Sequence, residues 1–492
     1  MTIVSNTQTL IDRAKRRLPT ISTLPGLGYV ERQLRTRAWQ QVPFAEPPES
    51  SGLKPVMGDW GLPVLGHMIE QFRSGPDFAR SLYKERGPIT WLGSPFMKSV
   101  AVLGPEGTQE VLSNKNKDFS QQGWVPVIGP FFNRGLMLLD FQEHHQHRLI
   151  MQQAFVRPRL AGYIEYIDRV ANEVVEQWPT NDRRFLLQPA VKELTLDVAS
   201  VVFMGNDQGA DKTELKKVNQ AFVDTVQAPG AVFRFPLPPF KWWRGVKGRK
   251  LLEQYFVPRV QSARRKGSGT DMLSVLCSAV TDEGHAFTDD DIVSHMIFLM
   301  MAAHDTSAST ITTMAYHLAA YPQWQERARD ESARLGDGPL DIEALEKLET
   351  LDLVMNESLR LVTPLPLTVR STVRDTDIMG HYLPKNTTVV VWPSMNHRLP
   401  ELWTNPDEFD PGRFTEPRSE HKRHRYAFSP FGGGAHKCIG MMFGQLEVKT
   451  VLHRLLRRYR LELVRPGYQP RWEYPGMPLP VDGMPIILRP LT

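Results

Sequence analysis

The alternation of hydrophobic and polar positions predicts a mostly helical chain with a smaller share of strands. Apolar residues recur at helical spacing over most of residues 105–182, and again over residues 292–321, where Pro322 ends the pattern. Short apolar runs between glycines and prolines predict strands instead, in GPITWLGSPFMKSVAVLG (87–104) and in TVRDTDIMGHYLPKNTTVVVWP (372–393). The predicted fold class is mainly α with a minor β part (α+β).

The segment 292–321 predicts one long helix. Thr288 precedes it and Asp291 stands three residues later, which is similar to a capping box with aspartate in place of glutamate. About thirty helical residues span roughly 45 Å, the width of a whole domain. We therefore expect this helix to cross the interior of the molecule.

The pattern divides the chain into an N-terminal extension and a single large domain. Residues 1–50 are irregular and run into the proline-rich stretch FAEPPESSGLKP (44–55), so we interpret them as an extension. Length alone would suit about three domains, but no flexible linker, like-charged run or internal repeat divides residues 51–492. The proline- and aromatic-rich stretch 229–245 interrupts the helices on either side of it.

Composition narrows the class of protein. A hydrophobic share of 41% with 23% charged residues is typical of a globular chain, and a net charge of +5 does not favour nucleic acid as a partner. Two cysteines cannot form a disulfide framework, which favours a reducing, cytoplasmic setting. Residues 1–20 lack the apolar core of a signal peptide or membrane span. We interpret them as solvated, with binding to an anionic membrane surface as the alternative.

The stretch SPFGGGAHKCIG (429–440) places Cys438 after a glycine-rich loop and before a helical apolar stripe. A lone cysteine is usually a small buried hydrophobe, but a helix N-terminus favours the thiolate, and the glycines would let a bulky group approach. A nucleophile would use His436 as its base, which is weak evidence in a tight loop, and zinc would need more cysteines. A thiolate without protein co-ligands suits the axial position of a haem iron.

The same residues resemble the haem-binding signature of the cytochrome P450 family, F-x-x-G-x-[RH]-x-C-x-G. The matching positions are Phe431, Gly434, His436, Cys438 and Gly440. The resemblance implies a P450-like domain whose long central helix lies over haem b, that is, iron protoporphyrin IX. It also implies that Cys438 is the thiolate ligand of the iron and that His436 contacts a haem propionate.

The middle of the long predicted helix reads MMAAHDTSAST, with an acid beside an alcohol at Asp305 and Thr306. Read locally, Thr306 bonds to a carbonyl one turn earlier and Asp305 lies on a solvated face. The stretch is also similar to the family's oxygen-binding motif [AG]-G-x-[DE]-T-[TS], with Ala302 first and Ala303 in place of the usual glycine. The resemblance implies that Asp305 and Thr306 are catalytic residues that deliver protons to iron-bound dioxygen.

Three spaced charges resemble the buried cluster that holds the family's haem-side core together. Glu357 and Arg360 lie three residues apart on one predicted helix face, and Arg413 follows in FDPGRF. The pairs Glu326/Arg329 and Glu331/Arg334 have the same spacing, so only the context of the first pair favours it. The role implied for the cluster is structural.

Further haem contacts are implied upstream. The stretch EHHQHRLIMQQAF (143–155) is similar to the family's W/H-x-x-x-R helix, which makes His144 and Arg148 propionate contacts, and Arg370 occupies a further propionate position. His144 and His147 could instead bind a metal ion, although no second cluster of ligands accompanies them. By analogy, the substrate pocket is lined by Trp124, Met300, Ala302, Ala303, Leu365 and Leu367.

The resemblance implies a monooxygenase that inserts one oxygen atom from dioxygen into an apolar lipid-, sterol- or terpenoid-like substrate. Some family members that act on sterols carry histidine at the position of Asp305, which argues against a sterol demethylase. A haem-dependent isomerase or dehydratase, which needs no electrons, and a non-catalytic haem sensor are the alternatives. Since no flavin domain follows the haem region, we expect a separate electron donor, with ferredoxin and its reductase as the favoured pair.

A basic stretch before the haem loop would suit an acidic electron donor. PRSEHKRHRYAF (417–428) contains Arg418, Lys422, Arg423 and Arg425, although a solvated loop explains the charges equally well. The aromatic stretch 233–243 lies where related proteins have an access loop, and contact with a membrane or packing of its own aromatics are both open. We therefore expect a cytoplasmic protein, with peripheral membrane contact as an alternative.

Overall fold

The computed structural model describes residues 40–491 except 63–65, 95–97, 184, 206–211, 231–236, 239, 268 and 475. Within these residues helices dominate. They are α1 Met68–Ser74, α2 Pro76–Arg86, α3 Pro105–Ser113, α4 Val125–Phe132, α5 Phe141–Gln152, α6 Arg157–Glu176, α7 Leu187–Met204, α8 Lys212–Gln227, α9 Lys241–Lys266, α10 Met272–Ser278, α11 Asp289–Ala320, α12 Pro322–Leu335, α13 Ile342–Glu346, α14 Glu349–Leu361, α15 Pro393–Asn396 and α16 Met441–Arg458. Short 3-10 turns occupy Gln121–Trp124, Leu136–Leu138, Gln153–Phe155, Ala228–Gly230, Pro411–Phe414, Glu420–Lys422 and Gly434–His436.

The strands form one mixed sheet and three small pairs. They are β1 Val42–Pro43, β2 Met57–Asp59, β3 Ile89–Gly93, β4 Lys98–Val102, β5 Phe119–Ser120, β6 Thr368–Thr372, β7 Thr376–Ile378, β8 His381–Leu383, β9 Thr388–Val391, β10 Tyr459–Leu463, β11 Trp472–Glu473, β12 Leu479–Pro480 and β13 Ile486–Pro490. The order in the seven-stranded sheet is β1-β2-β3-β4-β9-β6-β5. Only the β2–β3 and β4–β9 pairings in it are parallel. The predicted class, mainly α with a minor β part, is confirmed.

The long helix α11 lies at the centre of the surrounding helices. Its N-terminus is capped as the sequence predicts: the Thr288 hydroxyl oxygen accepts from the Asp291 amide at 3.1 Å, and the Asp291 carboxylate accepts from the Thr288 amide at 3.2 Å. Residues along most of its length are buried, because α7, α9, α14 and α16 pack around it. A helix of 32 residues spans about 48 Å. The prediction that it crosses the interior is confirmed.

Three hydrophobic clusters fill the space around these elements. The largest lies among the helices and includes Met300 and Leu455. A second, around Trp392 and Trp403, packs where α2 and α15 meet the sheet, and a third, around Trp91 and Val391, lies against the sheet itself. The helices and the sheet therefore pack around separate hydrophobic cores.

Some expectations about segments are corrected or lie outside the described residues. Strand β1 lies inside the segment 1–50 and pairs with β2, so the end of the predicted irregular extension joins the sheet. Residues 1–20 and 233–236 lie outside the described residues. Helix α8 ends at Gln227 and α9 begins at Lys241, as the proline-rich stretch predicts. In the described part of the chain, no helix is both long and apolar enough to cross a bilayer.

Candidate active site

The loop before α16 presents Cys438. The Cys438 amide donates to the carbonyl of Phe431 at 2.9 Å, which closes the loop, and α16 begins three residues later at Met441. The apolar stripe predicted after the cysteine forms the buried face of α16, with Val451, Leu455 and their neighbours facing the main core. The cysteine therefore lies just before the N-terminus of a well-anchored helix.

Two glycines of this loop are required by contacts within the protein. Gly434 has a φ of +64°, and a Cβ there would lie 1.9 Å from the carbonyl oxygen of Leu112 in α3. A Cβ on Gly433 would lie 2.6 Å from the ring of Tyr426. At Gly432, with a φ of +71°, a Cβ would meet nothing within 4 Å. The loop is thus pressed against α3 on one side.

The surroundings of Cys438 do not stabilise a thiolate by themselves. Burial raises the pKa of the thiol, while the Gly440 amide and the charges of Arg148 and Lys437 act in the opposite direction without reversing it. The side chain of Cys438 is nevertheless exposed. The expectation that the helix terminus alone favours the thiolate is corrected, because burial outweighs it. A coordinating metal ion would deprotonate such a thiol outright.

Four basic side chains cluster beside this loop. The rings of His144 and His436 lie 3.9 Å apart. Burial, together with the charge of Arg148, lowers the pKa of His144 to about 4, and burial with His144 and Arg370 lowers the pKa of His436. Burial also lowers the pKa of Arg370 to about 10. The structure therefore brings together all four residues expected to contact propionates.

The cluster has more positive groups than it has acids to pair with them. Asp140 lies 4.0 Å from Nε2 of His436 and partly offsets the effect of burial on Arg370, but its oxygens already accept from the Gln121 amide at 2.8 and 3.0 Å. Among the described residues, the buried indole Nε1 of Trp124 has no hydrogen-bond partner. Nη1 of Arg370 donates to the Thr368 hydroxyl and to the Val369 carbonyl, both at 2.8 Å, whereas the unpartnered indole N–H needs an acceptor. The carboxylates of a haem meet this need, so these residues fit the group.

On α11, the acid and the alcohol behave differently. The Thr306 hydroxyl donates to the Ala302 carbonyl at 2.7 Å, so the local interpretation holds for Thr306. It fails for Asp305, which is 6% exposed and forms an ion pair with Lys192 of α7 at 2.7 Å. Burial would raise the pKa of Asp305, but the contacts with His304 and Lys192 outweigh it and hold the pKa below its usual range. Asp305 is therefore a buried carboxylate.

The predicted pocket residues lie in different environments. Ala302, Ala303 and Thr306 are partly accessible on one face of α11, whereas Met300 is fully buried in the main core. Leu367 and Trp124 are half-buried, and Leu365 is 49% exposed. The accessible face of α11 at the acid–alcohol pair is thus lined by two methyl groups and a hydroxyl. The assignment of the pocket stays a prediction.

Glu357, Arg360 and Arg413 form one fully buried cluster. The two carboxylate oxygens of Glu357 accept from Nε and Nη2 of Arg360 at 2.7 and 2.8 Å, and from Nε of Arg413 at 3.0 Å. Arg360 also donates to the carbonyls of His397, Pro406 and Glu408, and Arg413 to the carboxylate of Glu420 at 3.0 Å. The cluster ties α14 to the loop that leads towards Cys438.

The alternative pairs of the same spacing form no comparable cluster. Glu326 pairs with Arg329 at 2.5 Å, but Glu326 is half-exposed. Glu331 instead accepts from the amide and hydroxyl of Thr350. Context in the sequence thus distinguished the fully buried pair from the two other pairs of the same spacing.

The alternative of a metal site at His144 and His147 finds no support. His147 points away from His144 and lies 2.8 Å from the ring of His295 in α11. In the described part of the chain no group of three or more histidine, cysteine, aspartate or glutamate side chains could hold a metal ion.

The basic stretch 417–428 is partly neutralised from within. Arg418 pairs with Asp410 and Glu420, Lys422 pairs with Glu416 at 2.7 Å, and Arg423 donates to the Leu402 carbonyl. Much of its charge therefore serves the loop itself, and less of it is available to a partner than the sequence suggested.

Sequence reasoning missed four acids and bases of this region. Lys192 lies more than a hundred positions before Asp305, and nothing in its local sequence marks it. Asp140 and Glu420 complete the propionate and arginine clusters. Glu447 of α16 is fully buried, and burial raises its pKa to about 8, while the Ser307 hydroxyl acts in the opposite direction.

Comparison with known proteins decides the family. The family model described as "Cytochrome P450" matches residues 56–478. The chain belongs to the cytochrome P450 family. This P450 is 63% identical over 483 residues to a protein of Mycobacterium tuberculosis described as "Putative cytochrome P450 136", an alignment that covers 98% of each chain. The enzyme class is therefore a P450 monooxygenase, and its cofactor is haem b.

More distant relatives share the fold and carry names of their own. The sterol 14alpha-demethylase of Mycolicibacterium vanbaalenii is 25% identical, with 82% of this P450 and 90% of that protein covered. A solved structure described as "Retinoic acid bound cyanobacterial CYP120A1" is 26% identical with a TM-score of 0.78, and it covers 88% of this P450 and 98% of that chain. Both alignments span nearly the whole of the described domain.

Proposed function

We propose that this P450 inserts one oxygen atom of dioxygen into an apolar, lipid-, sterol- or terpenoid-like substrate, with both electrons supplied by a separate redox protein. The observation that carries the proposal is the intact acid–alcohol pair, with Thr306 on the partly accessible face of α11 and Asp305 buried beside it in an ion pair with Lys192. A P450 that oxygenates its substrate must deliver protons as well as electrons. An isomerase or a gas sensor has no use for this pair.

The chain's own residues have separable tasks in this proposal. Cys438 would hold the iron, the charged Arg148 and Arg370 would pair with the propionates, and the neutral His144 and His436 would bind them through hydrogen bonds. When bound, the haem supplies the iron at which dioxygen is activated, and the thiolate favours O–O cleavage. Thr306 holds a proton at Oγ1, and Asp305 relays protons from the side of α11 that faces Lys192.

An apolar substrate is supported by the side chains predicted to line the substrate pocket and by the names of two relatives. Ala302, Ala303 and Leu367 offer no charge to a ligand. The names of two relatives concern a sterol and retinoic acid, both mostly apolar molecules. Some family members that act on sterols carry histidine in place of Asp305, so we favour a linear or terpenoid lipid over a sterol. The methyl group of Ala303 narrows the predicted substrate pocket compared with the usual glycine.

The electron donor is proposed from charge. Lys437 and Arg425 are exposed, although Arg418 and Lys422 pair with nearby acids, namely Asp410, Glu416 and Glu420. An acidic ferredoxin or flavoprotein would complement the exposed cations. We propose a ferredoxin with its reductase as the donor pair.

One experiment tests oxygen insertion and proton delivery together. The haem-loaded protein is titrated with retinoic acid, a 14-methyl sterol and long-chain fatty acids, and ligands that shift the haem absorption are incubated with a plant-type ferredoxin, its reductase and dioxygen. We expect a hydroxylated product, and Thr306→Ala should divert electrons to hydrogen peroxide about tenfold more. Thr313→Ala is the control, because the Thr313 hydroxyl makes the same bond one turn back, to the Ser309 carbonyl at 2.8 Å.

Other outcomes would contradict the proposal. Conversion of a substrate without electrons, unchanged by Thr306→Ala, would indicate an isomerase or dehydratase. Gas binding without turnover of any ligand that shifts the absorption would indicate a sensor.

A further inference from the structure

His304 is a buried titratable side chain to which the proposed function gives no role. It lies between Ala303 and Asp305 on α11 and is 4% exposed. Its Nε2 is 2.9 Å from the carbonyl oxygen of Lys192, and its Nδ1 is 3.1 Å from Oδ1 of Asp305. The edge of its ring meets Phe222 of α8 at 5.5 Å. One imidazole therefore touches both members of the Lys192–Asp305 ion pair.

The identity of these neighbours fixes where protons lie. A carbonyl oxygen cannot donate, so Nε2 must carry a proton to bond to Lys192. Oδ1 of Asp305 also lies 2.7 Å from the ammonium of Lys192, which requires an ionised carboxylate. An unprotonated Nδ1 would then point its lone pair towards a negatively charged oxygen. The 3.1 Å contact is not aligned as a hydrogen bond, but as an ion pair it is favourable only if Nδ1 is protonated as well.

We propose that His304 carries a proton on both ring nitrogens and is the proton store and positioning residue for Asp305. This rests on the proposed function, which makes Asp305 a proton carrier. Transfer breaks the Nδ1–H bond and forms an Oδ1–H bond, which leaves a neutral imidazole and a neutral carboxylic acid. After Asp305 passes that proton to the predicted pocket beside Thr306, a proton from solvent water restores the imidazolium. Lys192 is one-third exposed and so connects the ion pair to solvent.

The remaining neighbours of His304 do not change this charge balance. Helix α8 contributes the uncharged Phe222, and Thr195 of α7 donates its hydroxyl to the His304 carbonyl at 3.4 Å. The charged groups that act on Asp305 in the described structure are His304 and Lys192. With His304 protonated on both nitrogens, the cluster holds two positive charges around one carboxylate.

The direct test is nitrogen NMR of protein labelled with ¹⁵N-histidine. The reduced, carbon monoxide-bound holoprotein is used because it is diamagnetic, and the His304 signals are assigned from those missing in His304→Gln or His304→Asn. We expect both nitrogens of His304 to show protonated shifts at pH 7. A pyridine-type shift on either nitrogen would overturn the proposal, whether or not the variants are active.

A kinetic readout separates proton storage from packing. Dioxygen consumption by holoprotein with a plant-type ferredoxin and its reductase is measured in H₂O and D₂O. His304→Gln keeps a donor for the Lys192 carbonyl but cannot hold a second proton. We expect it to slow consumption about tenfold and to enlarge the solvent isotope effect. The control His295→Gln removes another buried imidazole of α11 and should leave both quantities near those of the natural protein.

The outcomes distinguish this inference from the proposed function. If Asp305→Asn slows consumption and His304→Gln changes neither the rate nor the isotope effect, only the role of His304 is wrong. If Asp305→Asn and Thr306→Ala also have no effect, the proposed proton delivery is wrong.

Discussion

At the scale of single residues, the conformation of the loop 429–440, which would hold the haem, depends on one glycine more than on the others. Gly434→Ala would place a methyl group 1.9 Å from the Leu112 carbonyl in a left-handed conformation, so the loop must move off α3. We expect loss of most haem-loaded protein, as measured by the ratio of haem absorption to protein absorption after purification.

Gly432→Ala is the matched control. Its φ is also positive, but the added methyl group meets open space, so only the backbone strain of about 1–2 kcal/mol applies. Equal haem loading in both variants would contradict the view that packing against α3 fixes the loop.

Site residues could be predicted from the sequence where they belong to a motif with fixed spacing. Cys438, His436 and the acid–alcohol pair stand at fixed spacings, and the structure brings His436 together with His144, Arg148 and Arg370. The direction of the pKa of Cys438 could not be predicted, because it depends on how closely distant segments bury the sulfur. Lys192 was missed for a related reason: its partner is more than a hundred residues away, and a lysine on a helix has no local signature.

At the scale of elements, the buried charge cluster joins α14 to the loop before Cys438. Glu357→Ala would leave Arg360 buried without a carboxylate and Arg413 with only that of Glu420, and we expect a loss of about 3–5 kcal/mol in the free energy of unfolding. Urea denaturation of the holoprotein measures it.

The chain provides its own control for this prediction. Glu326→Ala removes the acid of a pair with the same spacing, but Glu326 is half-exposed, so the loss should stay within about 1 kcal/mol. A similar loss in both variants would show that burial does not set the importance of the cluster.

Elements were predicted best where local signals were strong. The capping box at Thr288 and Asp291 and the stop at Pro322 bounded α11 to within a few residues. Strand β1, at residues 42–43, was missed because two residues carry no periodicity, and its pairing with β2 forms only in the folded sheet. The glycine-rich loop was located correctly, but its packing partner α3 lies more than three hundred residues earlier.

At the scale of the whole molecule, Glu447 makes stability depend on pH. Burial raises its pKa from the ordinary 4.5 to about 8, so the folded protein binds one more proton than the unfolded chain between these values. The free energy of unfolding must therefore fall as the pH rises from about 4.5 to about 8. Above about pH 8, the destabilisation caused by the buried, ionised Glu447 no longer changes with pH.

Glu447→Gln removes this destabilisation. Relative to the natural protein, we expect the variant to gain a few kcal/mol between pH 5 and pH 9, as measured by urea denaturation at both values. Glu462→Gln, on the partly exposed strand β10, is the control and should follow the natural protein. Parallel behaviour of Glu447→Gln and the natural protein across this range would contradict the buried, protonated state.

The central claim is that Cys438 holds the iron of the haem. The most direct measurement is the absorption spectrum of the purified protein, reduced and then exposed to carbon monoxide, beside that of Cys438→His. We predict the red-shifted Soret band of a thiolate-ligated haem in the natural protein and its loss in the variant. A band at the position typical of histidine-ligated haem in the folded natural protein, or a red-shifted band that persists in the variant, would contradict the account.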